Sequence, residues 1–160
     1  MYQRSEIEQT IKNLKIDRAN FFEVSKQSYQ QIISQIENAF VDKSKHWNKG
    51  IHWANMGFYR PELKCVNEVM KDWSWIKKLP HIIPAPNNPV YVLFEDTKAY
   101  EPKYWLYEAN LCELILVLNE SHLWGDFYIV SKKYDWLISF NHHDIISYVG
   151  ENLKTDTTAV

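Results

Sequence analysis

The sequence predicts an α+β domain, in which a helical N-terminal half packs with a small antiparallel sheet and flanking helices in the C-terminal half. Apolar residues at helical spacing dominate residues 1–88, and runs of β-branched and aromatic residues dominate residues 89–150. Regular strand–helix–strand alternation is absent from the sequence, which argues against a parallel sheet. The 160 residues make one domain, with 151–160 as a polar tail.

Three helices are expected in the first half. Ser5 and Glu8 have the spacing of a capping box, which predicts a helix over about 6–16. Apolar spacing predicts a second helix over about 25–42, and a third helix opens at Pro61 and runs to about Lys77. The stretch LPHIIPAPNNP contains four of the six prolines and predicts an irregular connection.

The second half is expected to hold the sheet. VYVLFED, from Val90, predicts a strand, and KYWLYEAN is either a second short strand or an extended loop. Asn110 precedes a predicted helix over about 111–120. DFYIVSKKYDWLISF predicts two strands, over about 126–131 and 134–140, and a final helix over about 142–149 ends at Gly150.

Composition excludes several classes of protein. With four glycines and neither GxGxxG nor GxxxxGK[ST], the chain lacks a nucleotide-binding loop and no cofactor is expected. Its longest apolar run is far too short to span a bilayer, and its N-terminal segment lacks a signal-peptide core. Cys65 and Cys112, both in segments interpreted as helices, are expected to be buried thiols in a reducing compartment. The predicted location is the cytoplasm.

Charge is distributed unevenly along the chain. Residues 44–88 carry seven Lys or Arg against three acidic residues, whereas residues 89–160 carry five against eleven. Nucleic-acid phosphates would be repelled by an acidic, aromatic-rich second half, so a nucleic-acid partner is not favoured. That half suits a basic protein partner better.

The motif FNHHD, near the C-terminus, suggests either chemistry or local structure. The structural interpretation places Asn141 at a helix N-cap and Asp144 at the third helical position, and it is favoured. Adjacent helical side chains point about 100° apart, so His142 and His143 are poorly placed to share a metal ion. No metal ligands or catalytic residues are assigned, and His142, His143 and Asp144 remain an alternative site.

A second motif repeats His-Trp at His46-Trp47 and His52-Trp53. With Tyr59 and Arg60 these residues could line a small-ligand pocket or stack on bases. A loop sealed by aromatic side chains is the favoured interpretation.

The third motif, FEDTKAYEPKYWLYE, alternates carboxylates with aromatic residues. Glu95 and Asp96 point to opposite faces if the strand continues through them, which weakens an acid–base pair. Aromatic anchors with a charged rim are what a protein-binding surface requires. The predicted binding residues are therefore Glu95, Asp96, Glu101, Tyr104, Trp105, Glu108 and Trp124, with Asp126 and Asp135 as further members. A solvated acidic loop over the core is an equally favoured interpretation of the segment.

Two stretches, WIKKLPHIIPAPNNPVYVLFED and DFYIVSKKYDWLISFNHHD, resemble small bacterial proteins of the toxin-immunity type, in the broad manner of SMI1/KNR4-like proteins. The resemblance covers about residues 75–150 and rests on a hairpin followed by a helix. It implies a cytoplasmic, non-enzymatic protein that binds and blocks a cognate toxin, and it transfers no site residues.

The leading hypothesis is thus a protein-binding domain, a candidate immunity protein that covers a basic toxin face. The first alternative is a metal-dependent hydrolase or nuclease that uses His142, His143, Asp144 and His122. The second alternative is a small-ligand-binding protein with a pocket at Trp47, Trp53 and Tyr59.

Overall fold

The computed structural model describes residues 2–42, 44, 59–98, 101–123 and 125–155. Four α-helices lie in these ranges: α1 Tyr2–Asn13, α2 Lys26–Phe40, α3 Leu79–Ile82 and α4 Leu111–Glu120. A 3-10 helix, Trp73–Lys78, leads directly into α3. The strands are β1 Phe21–Glu23, β2 Cys65–Val69, β3 Val90–Lys98, β4 Glu101–Ala109, β5 Phe127–Ser131, β6 Leu137–Phe140 and β7 Ile145–Val149.

The seven strands in the described part of the chain form one sheet, in the order β1-β4-β3-β5-β6-β7-β2. Every neighbouring pair is antiparallel. Hairpins connect β3 to β4, β5 to β6 and β6 to β7, so the centre of the sheet comes from the second half of the chain. The two outer strands, β1 and β2, come from the first half.

Helices cover both faces of the sheet, because the central strands present apolar side chains to both sides. On one face, α1, the 3-10 helix, α3 and α4 pack against residues such as Val92 and Phe94. On the other face, α2 buries Ile33, Ile36 and Phe40 against Leu93 and its neighbours. The alternation of Val92, Leu93 and Phe94 between the two cores follows the period of two along a strand.

The predicted fold class is wrong, because the N-terminal half is not simply helical and supplies strands β1 and β2 to the sheet, and because the last predicted C-terminal helix is strand β7. CVNEV forms β2 where the third helix was expected, and IISYV forms β7 where the last helix was expected. Both segments contain β-branched residues, and consecutive side chains along each segment point to opposite faces of the sheet. β2 and β7 pair with each other along five residues each. Tertiary pairing therefore outweighed the helical spacing of the apolar positions.

The ends of β7 explain why the helix prediction failed there. Asn141 Oδ1 accepts hydrogen bonds from the backbone nitrogens of His143 and Ile145, so it caps the turn of a β-hairpin. Asp144 has a φ of 60°, a left-handed conformation that ends a tight turn. Gly150 has a φ of 122°, and a Cβ there would lie 2.6 Å from Asp135 O. The prediction of Asn141 as a helix N-cap is therefore wrong, because its side-chain oxygen caps the turn between β6 and β7 and no helix follows.

Other elements agree with the sequence more closely. The predicted second helix corresponds to α2, the helix after Asn110 corresponds to α4, and the strand from Val90 corresponds to β3. KYWLYEAN lies within β4, which settles its two interpretations in favour of a strand. The first helix begins before the expected capping box, since Ser5 lies inside α1.

The two cysteines are free and exposed, so the expectation of buried thiols is wrong. Cys112 lies on α4 as expected, but Cys65 begins strand β2. Among the described residues, no helix is both long and apolar enough to cross a membrane.

Candidate functional site

Glu95 and Asp96, near the end of β3, are the predicted binding residues that the structure places most unexpectedly. Both are buried, with 7% and 6% of their surface exposed. As expected for strand neighbours, their side chains point to opposite faces: Glu95 reaches Tyr128 in the α2 core, and Asp96 reaches the N-terminus of α1. Each carboxyl group therefore has a role inside the fold.

Asp96 holds the first turn of α1 against the sheet. Its carboxylate accepts hydrogen bonds from the backbone nitrogens of Gln3 at 3.0 Å and Arg4 at 3.4 Å. It also accepts from Trp105 Nε1 at 2.7 Å. A carboxylate at a helix N-terminus satisfies free amides and complements the helix dipole, so the same contact fixes both α1 and the Trp105 ring.

Glu95 belongs to a group of polar side chains that we call the carboxyl cluster: the buried Glu95, Asp126 and Tyr128, and the half-exposed His142. Tyr128 Oη donates to Glu95 Oε2 at 3.4 Å. Burial, reinforced by the neighbouring Asp126 charge, raises the pKa of Glu95 to about 8. Glu95 therefore holds its proton at neutral pH.

Asp126 connects the buried pair to the surface. Its Oδ1 accepts from the backbone nitrogen of His142 at 2.9 Å, and His142 Nδ1 lies 3.1 Å from the same oxygen. Asp126 is 3% exposed, whereas the His142 side chain is 48% exposed. A buried carboxylate thus orients a half-exposed imidazole through its Nδ1, an arrangement that favours the tautomer with the proton on Nδ1.

Tyrosines extend this polar region into the α2 core. Tyr59 Oη donates to Ser139 Oγ at 3.0 Å, and burial raises the pKa of Tyr59 above its usual range. The pKa of Tyr104 is raised by burial and by the Glu95 carboxyl group. These hydroxyls stay neutral, so they act as hydrogen-bonding groups within the core.

His143 and Asp144 do not join His142 around a common centre. The two imidazole rings lie side by side with centroids 4.0 Å apart, but only His142 contacts Asp126. Asp144 uses its backbone carbonyl to accept from Met70 N at 2.7 Å, which attaches the turn to the end of β2. Within the described ranges, no group of three or more His, Cys, Asp or Glu side chains could hold a metal ion.

A second feature, the aromatic cleft, opens where β4 extends beyond β1. It has a volume of about 250 Å³. Trp105 is half-buried in its wall, and Arg4 lies over the Trp105 ring at 5.3 Å. Arg4 also forms an ion pair with Glu23 at 2.8 Å, so the charge of Glu23 at the rim of the cleft is balanced by Arg4. The lining residues are Glu23, Val24, Lys26, Tyr29, Tyr104, Trp105 and Leu106.

The remaining predicted residues are dispersed. Glu108 pairs with Lys132 at 2.8 Å, and the exposed Asp135 lies in a different cleft, beside Lys133. The backbone of Glu101 begins β4, whereas Trp124 lies outside the described residues. His122 contacts α1 through its backbone, which accepts from Tyr2 Oη and donates to Glu6 Oε1.

Part of the predicted ligand pocket also lies outside the described residues, namely His46, Trp47, His52 and Trp53. Tyr59 is 8% exposed, and its hydroxyl is used by Ser139. Arg60 forms an ion pair with Glu62 on the surface.

Sequence reasoning missed the partnership of Asp126 with Glu95 and His142, which joins residues from two predicted sites. Tyr128, Ser139 and Gln3 were not considered either. Asp126 directly precedes the continuous buried run of β5, and that position was a usable signal because a carboxylate at the end of a buried strand needs a partner. The contact of Gln3 with β3 could not be inferred from spacing.

The fold and site define a class of domain: an antiparallel sheet with helices on both faces, a carboxyl cluster inside and an aromatic cleft outside. The chain belongs to a family of unknown function, DUF6756, whose family model matches residues 2–159. No curated protein and no solved structure matches the chain.

Proposed function

We propose that this protein is a protein-binding domain, and that it works as an immunity protein that blocks a cognate toxin. The observation that carries the binding proposal is the aromatic cleft, which offers Tyr29 and Trp105 side chains around a space of about 250 Å³. Half-buried aromatic side chains in a concave site are the usual anchors of protein interfaces. The immunity role rests on the resemblance described above.

The chemistry of recognition differs from the acidic surface expected from the sequence. Because Glu95 and Asp96 are buried, they contribute little charge to a partner's surface. Glu23 is neutralised by Arg4, and Lys26 supplies the exposed charge at the rim. Recognition at the cleft therefore depends on apolar and aromatic contact, whereas charge mainly affects the rate at which the partner associates.

A cytoplasmic location is part of this proposal. Two free, exposed thiols, Cys65 and Cys112, fit a reducing compartment better than an oxidising one.

The test compares a residue of the cleft with an exposed residue on α4. Val24 is half-buried in the cleft wall, and Leu116 is exposed on α4, so Val24→Arg fills the cleft while Leu116→Arg is its control. Tagged wild-type protein is used to capture partners from the native host at low salt, and the retained protein is then made separately for titration calorimetry. We expect Val24→Arg to weaken binding at least about tenfold, a loss of about 1.4 kcal/mol, with Leu116→Arg unchanged.

Two results would contradict the proposal: no protein retained specifically at low salt, or a partner that Val24→Arg binds as tightly as wild type does. The immunity role has its own readout. Co-expression of the domain should restore growth of cells that express the captured partner, or a toxin encoded by a neighbouring gene, and the Val24→Arg variant should not.

A second function, acid–base chemistry, is favoured by one observation, the contact between Asp126 and the half-exposed His142 ring. A buried carboxylate that orients an imidazole is a common part of hydrolytic sites. The metal-dependent form of this alternative predicts stoichiometric zinc or manganese in purified protein, lost in His142→Ala. Metal-free protein without hydrolytic activity towards nucleic acid or ester substrates would leave His142 with a structural role.

A further inference from the structure

A cleft with a volume of about 330 Å³ lies at one corner of the sheet, and we call it the corner cleft. Three segments that are distant in the sequence line it: residues 84–90 between α3 and the start of β3, residues 131–136 between β5 and β6, and Asn152 beyond β7. The corner cleft shares no residue with the aromatic cleft or the carboxyl cluster. Its volume is at the lower end of the range for small-molecule sites, which is about 300–1,000 Å³.

Main-chain hydrogen bonds hold the walls of the corner cleft in place. Asn88 N donates to Ala85 O at 3.1 Å, which closes the loop after α3 into a turn. Tyr134 N donates to Ser131 O at 2.9 Å, which does the same for the connection between β5 and β6. Beyond β7, Lys154 N donates to the main chain of α3 at 2.9 Å. The fold itself therefore forms this cleft, so little has to be ordered when a ligand binds.

The floor of the corner cleft consists of three buried residues on one face of the sheet. Val90 and Ser131 are cross-strand partners on β3 and β5, and Ser131 N donates to Trp136 O at 3.1 Å. Val90 and Trp136 both belong to the core beneath α1 and α4, so all three side chains point to that face. Ser131 is 7% exposed and Trp136 is 4% exposed. The polar atoms of the floor are therefore held by the surrounding core.

Two hydrogen-bond donors are built into this floor. The indole N–H of Trp136 donates to no residue in the described part of the chain, and its nitrogen is not one of the fully enclosed polar atoms. Because Trp136 lines the corner cleft and is otherwise buried, this N–H opens into the cleft. Ser131 Oγ accepts from Lys133 N at 3.0 Å, and its own proton has no acceptor among the described residues. Such donors favour a ligand that brings hydrogen-bond acceptors.

The charges around the corner cleft balance. Lys132 forms an ion pair with Glu108 at 2.8 Å and lies over the Tyr91 ring, so its charge is already engaged. Lys133 and Asp135 are exposed at the rim, and they carry one positive and one negative charge. Neither a cation nor an anion is favoured by this arrangement, so the ligand that fits it is neutral.

The rim and walls combine polar and apolar groups. The side-chain amides of Asn88 and Asn152 each donate and accept, and neither is used by another residue of the described ranges. Pro84 and Pro89 supply walls of saturated carbon. Trp136 exposes too little of its ring to stack on a planar aromatic ligand. A compact, saturated molecule with several hydroxyl groups suits this combination, because each hydroxyl both donates and accepts.

We propose that the corner cleft binds a neutral, polyhydroxylated ring molecule, the chemistry of a monosaccharide. Its hydroxyl oxygens accept from Trp136 Nε1 and Ser131 Oγ at the floor, and its ring C–H groups pack against the two prolines. The sugar is either free or the terminal residue of a glycan. This inference goes beyond the proposed function, because it needs neither a protein partner nor the aromatic cleft.

The experiment titrates the full-length protein with four monosaccharides (glucose, galactose, mannose and N-acetylglucosamine) and with acetate and methylammonium as charged probes. Binding is followed in proton–nitrogen NMR spectra, in which the indole N–H of Trp136 has its own signal. We expect at least one sugar to bind with a Kd of about 1 mM and to shift that signal together with the amides of Asn88 and Ser131. Acetate and methylammonium should leave these signals unchanged up to about 20 mM.

The methyl glycoside of the sugar that binds separates the two sources of the ligand. An affinity within about threefold of the free sugar assigns the corner cleft to the end of a glycan. Loss of binding assigns it to the free sugar, because the anomeric hydroxyl is then used by the protein.

Variants test the place and the chemistry of binding. Asn88→Trp fills the corner cleft from its exposed rim and should weaken sugar binding at least about tenfold, whereas Asn119→Trp, at an exposed asparagine of α4, is the matched control and should change the Kd by less than about twofold. Trp136→Phe removes the buried donor but keeps an aromatic ring, so binding should weaken at least about fivefold. Lys133→Gln combined with Asp135→Asn removes both charges and keeps hydrogen-bonding atoms, so the Kd should change by less than about threefold.

Three results would overturn the proposal: no shift with any of the four sugars at about 20 mM, shifts confined to residues outside the corner cleft, or equal affinity of wild type and Asn88→Trp. Tighter binding of acetate or methylammonium than of every sugar would also overturn it, because the site would then select charge. None of these results involves Val24 or the aromatic cleft, so they are distinguishable from failure of the proposed function.

Discussion

At the β4 edge of the sheet two outward carbonyl groups are occupied, whereas at the β2 edge no described strand pairs with the outward groups. Beyond β1, Val24 N donates to Leu106 O at 2.9 Å and Tyr29 Oη donates to Tyr104 O at 2.8 Å. Pro102 lies at a position of β4 whose backbone also faces away from β3, and proline has no N–H that an added strand could bond. On β2, the outward groups of Cys65, Asn67 and Val69 have no strand beside them among the described residues.

The difference shows how one sheet can offer two kinds of recognition. Where the backbone is satisfied, a partner must be recognised by side chains, and Tyr29 and Trp105 line a cleft that serves this purpose. Where the backbone is open, main-chain pairing itself can supply affinity. Hydroxyl caps and prolines protect the first edge against strand addition, as in many natural sheets.

The largest expected effect concerns the wall of the aromatic cleft. Asp96→Ala removes the acceptor for Gln3 N, Arg4 N and Trp105 Nε1 and leaves buried donors unpaired. We expect the free energy of unfolding to fall by about 3 kcal/mol in urea denaturation. Asp135→Ala, at an exposed acidic residue, is the control and should change it by less than about 0.5 kcal/mol. Equal small losses in both variants would show that Asp96 does not hold α1.

The next prediction tests which amides of β2 face β7. Glu68 lies at an inward position, opposite Ile146, and Val69 lies at an outward one. Glu68→Pro should lower the free energy of unfolding by about 2 kcal/mol because it breaks a ladder hydrogen bond. Val69→Pro should cost less than about 1 kcal/mol, since it removes only an outward N–H. Similar losses from both substitutions would mean that the β2 edge is not open.

The sequence allowed α2, α4 and β3 to be predicted, because each has one dominant periodicity and a clear boundary residue. It did not allow β2 and β7 to be predicted, because CVNEV and IISYV become strands by pairing with each other. A segment of about five residues carries too little local preference to resist its tertiary partner. Consequently the β2 edge could not be anticipated at all.

The candidate site was predictable to a smaller extent. Glu95, Asp96 and His142 were each selected from the sequence, and the structure buries the first two and places His142 against Asp126. Spacing places side chains on a face of a strand, but whether that face is covered depends on helices from elsewhere in the chain. The carboxyl cluster brings together β3, β5 and the turn before β7, and such a convergence has no local signature.

A pH experiment contrasts the buried interior with the exposed edges. The pKa of Glu95 is raised from 4.5 to about 8 by burial, then by the Asp126 charge. Between these pH values the folded protein holds a proton that the unfolded chain releases, so stability falls as pH rises through this range and levels off above it. Below pH 4.5 Glu95 is protonated in both the folded and the unfolded state, so it no longer lowers the stability of the folded protein.

Glu95→Gln removes the titration. The stability of the variant relative to wild type should rise as pH increases, by about 1.4 kcal/mol per pH unit at most, in denaturation curves measured from pH 4.5 to 8. A stability difference that stays flat over this range would show that Glu95 ionises like an exposed carboxyl group.

The smallest expected effect comes from the cap on β4. Tyr29→Phe removes the hydroxyl that donates to Tyr104 O and leaves the ring in the cleft. The free energy of unfolding should fall by about 1 kcal/mol, and exchange of the neighbouring amides of β4 should accelerate. No change in either measurement would mean that the hydroxyl does not protect this edge.

The difference between the two edges is tested most directly by hydrogen exchange of single backbone amides in the free, full-length protein. The account predicts alternation along β2: the amides of Cys65, Asn67 and Val69 exchange quickly, while those of Val66 and Glu68 are protected by β7. Val24, which is bonded to Leu106 at the other edge, should be protected as well. Uniform protection of all five β2 amides would contradict the account, because it would mean that the outward groups are already paired.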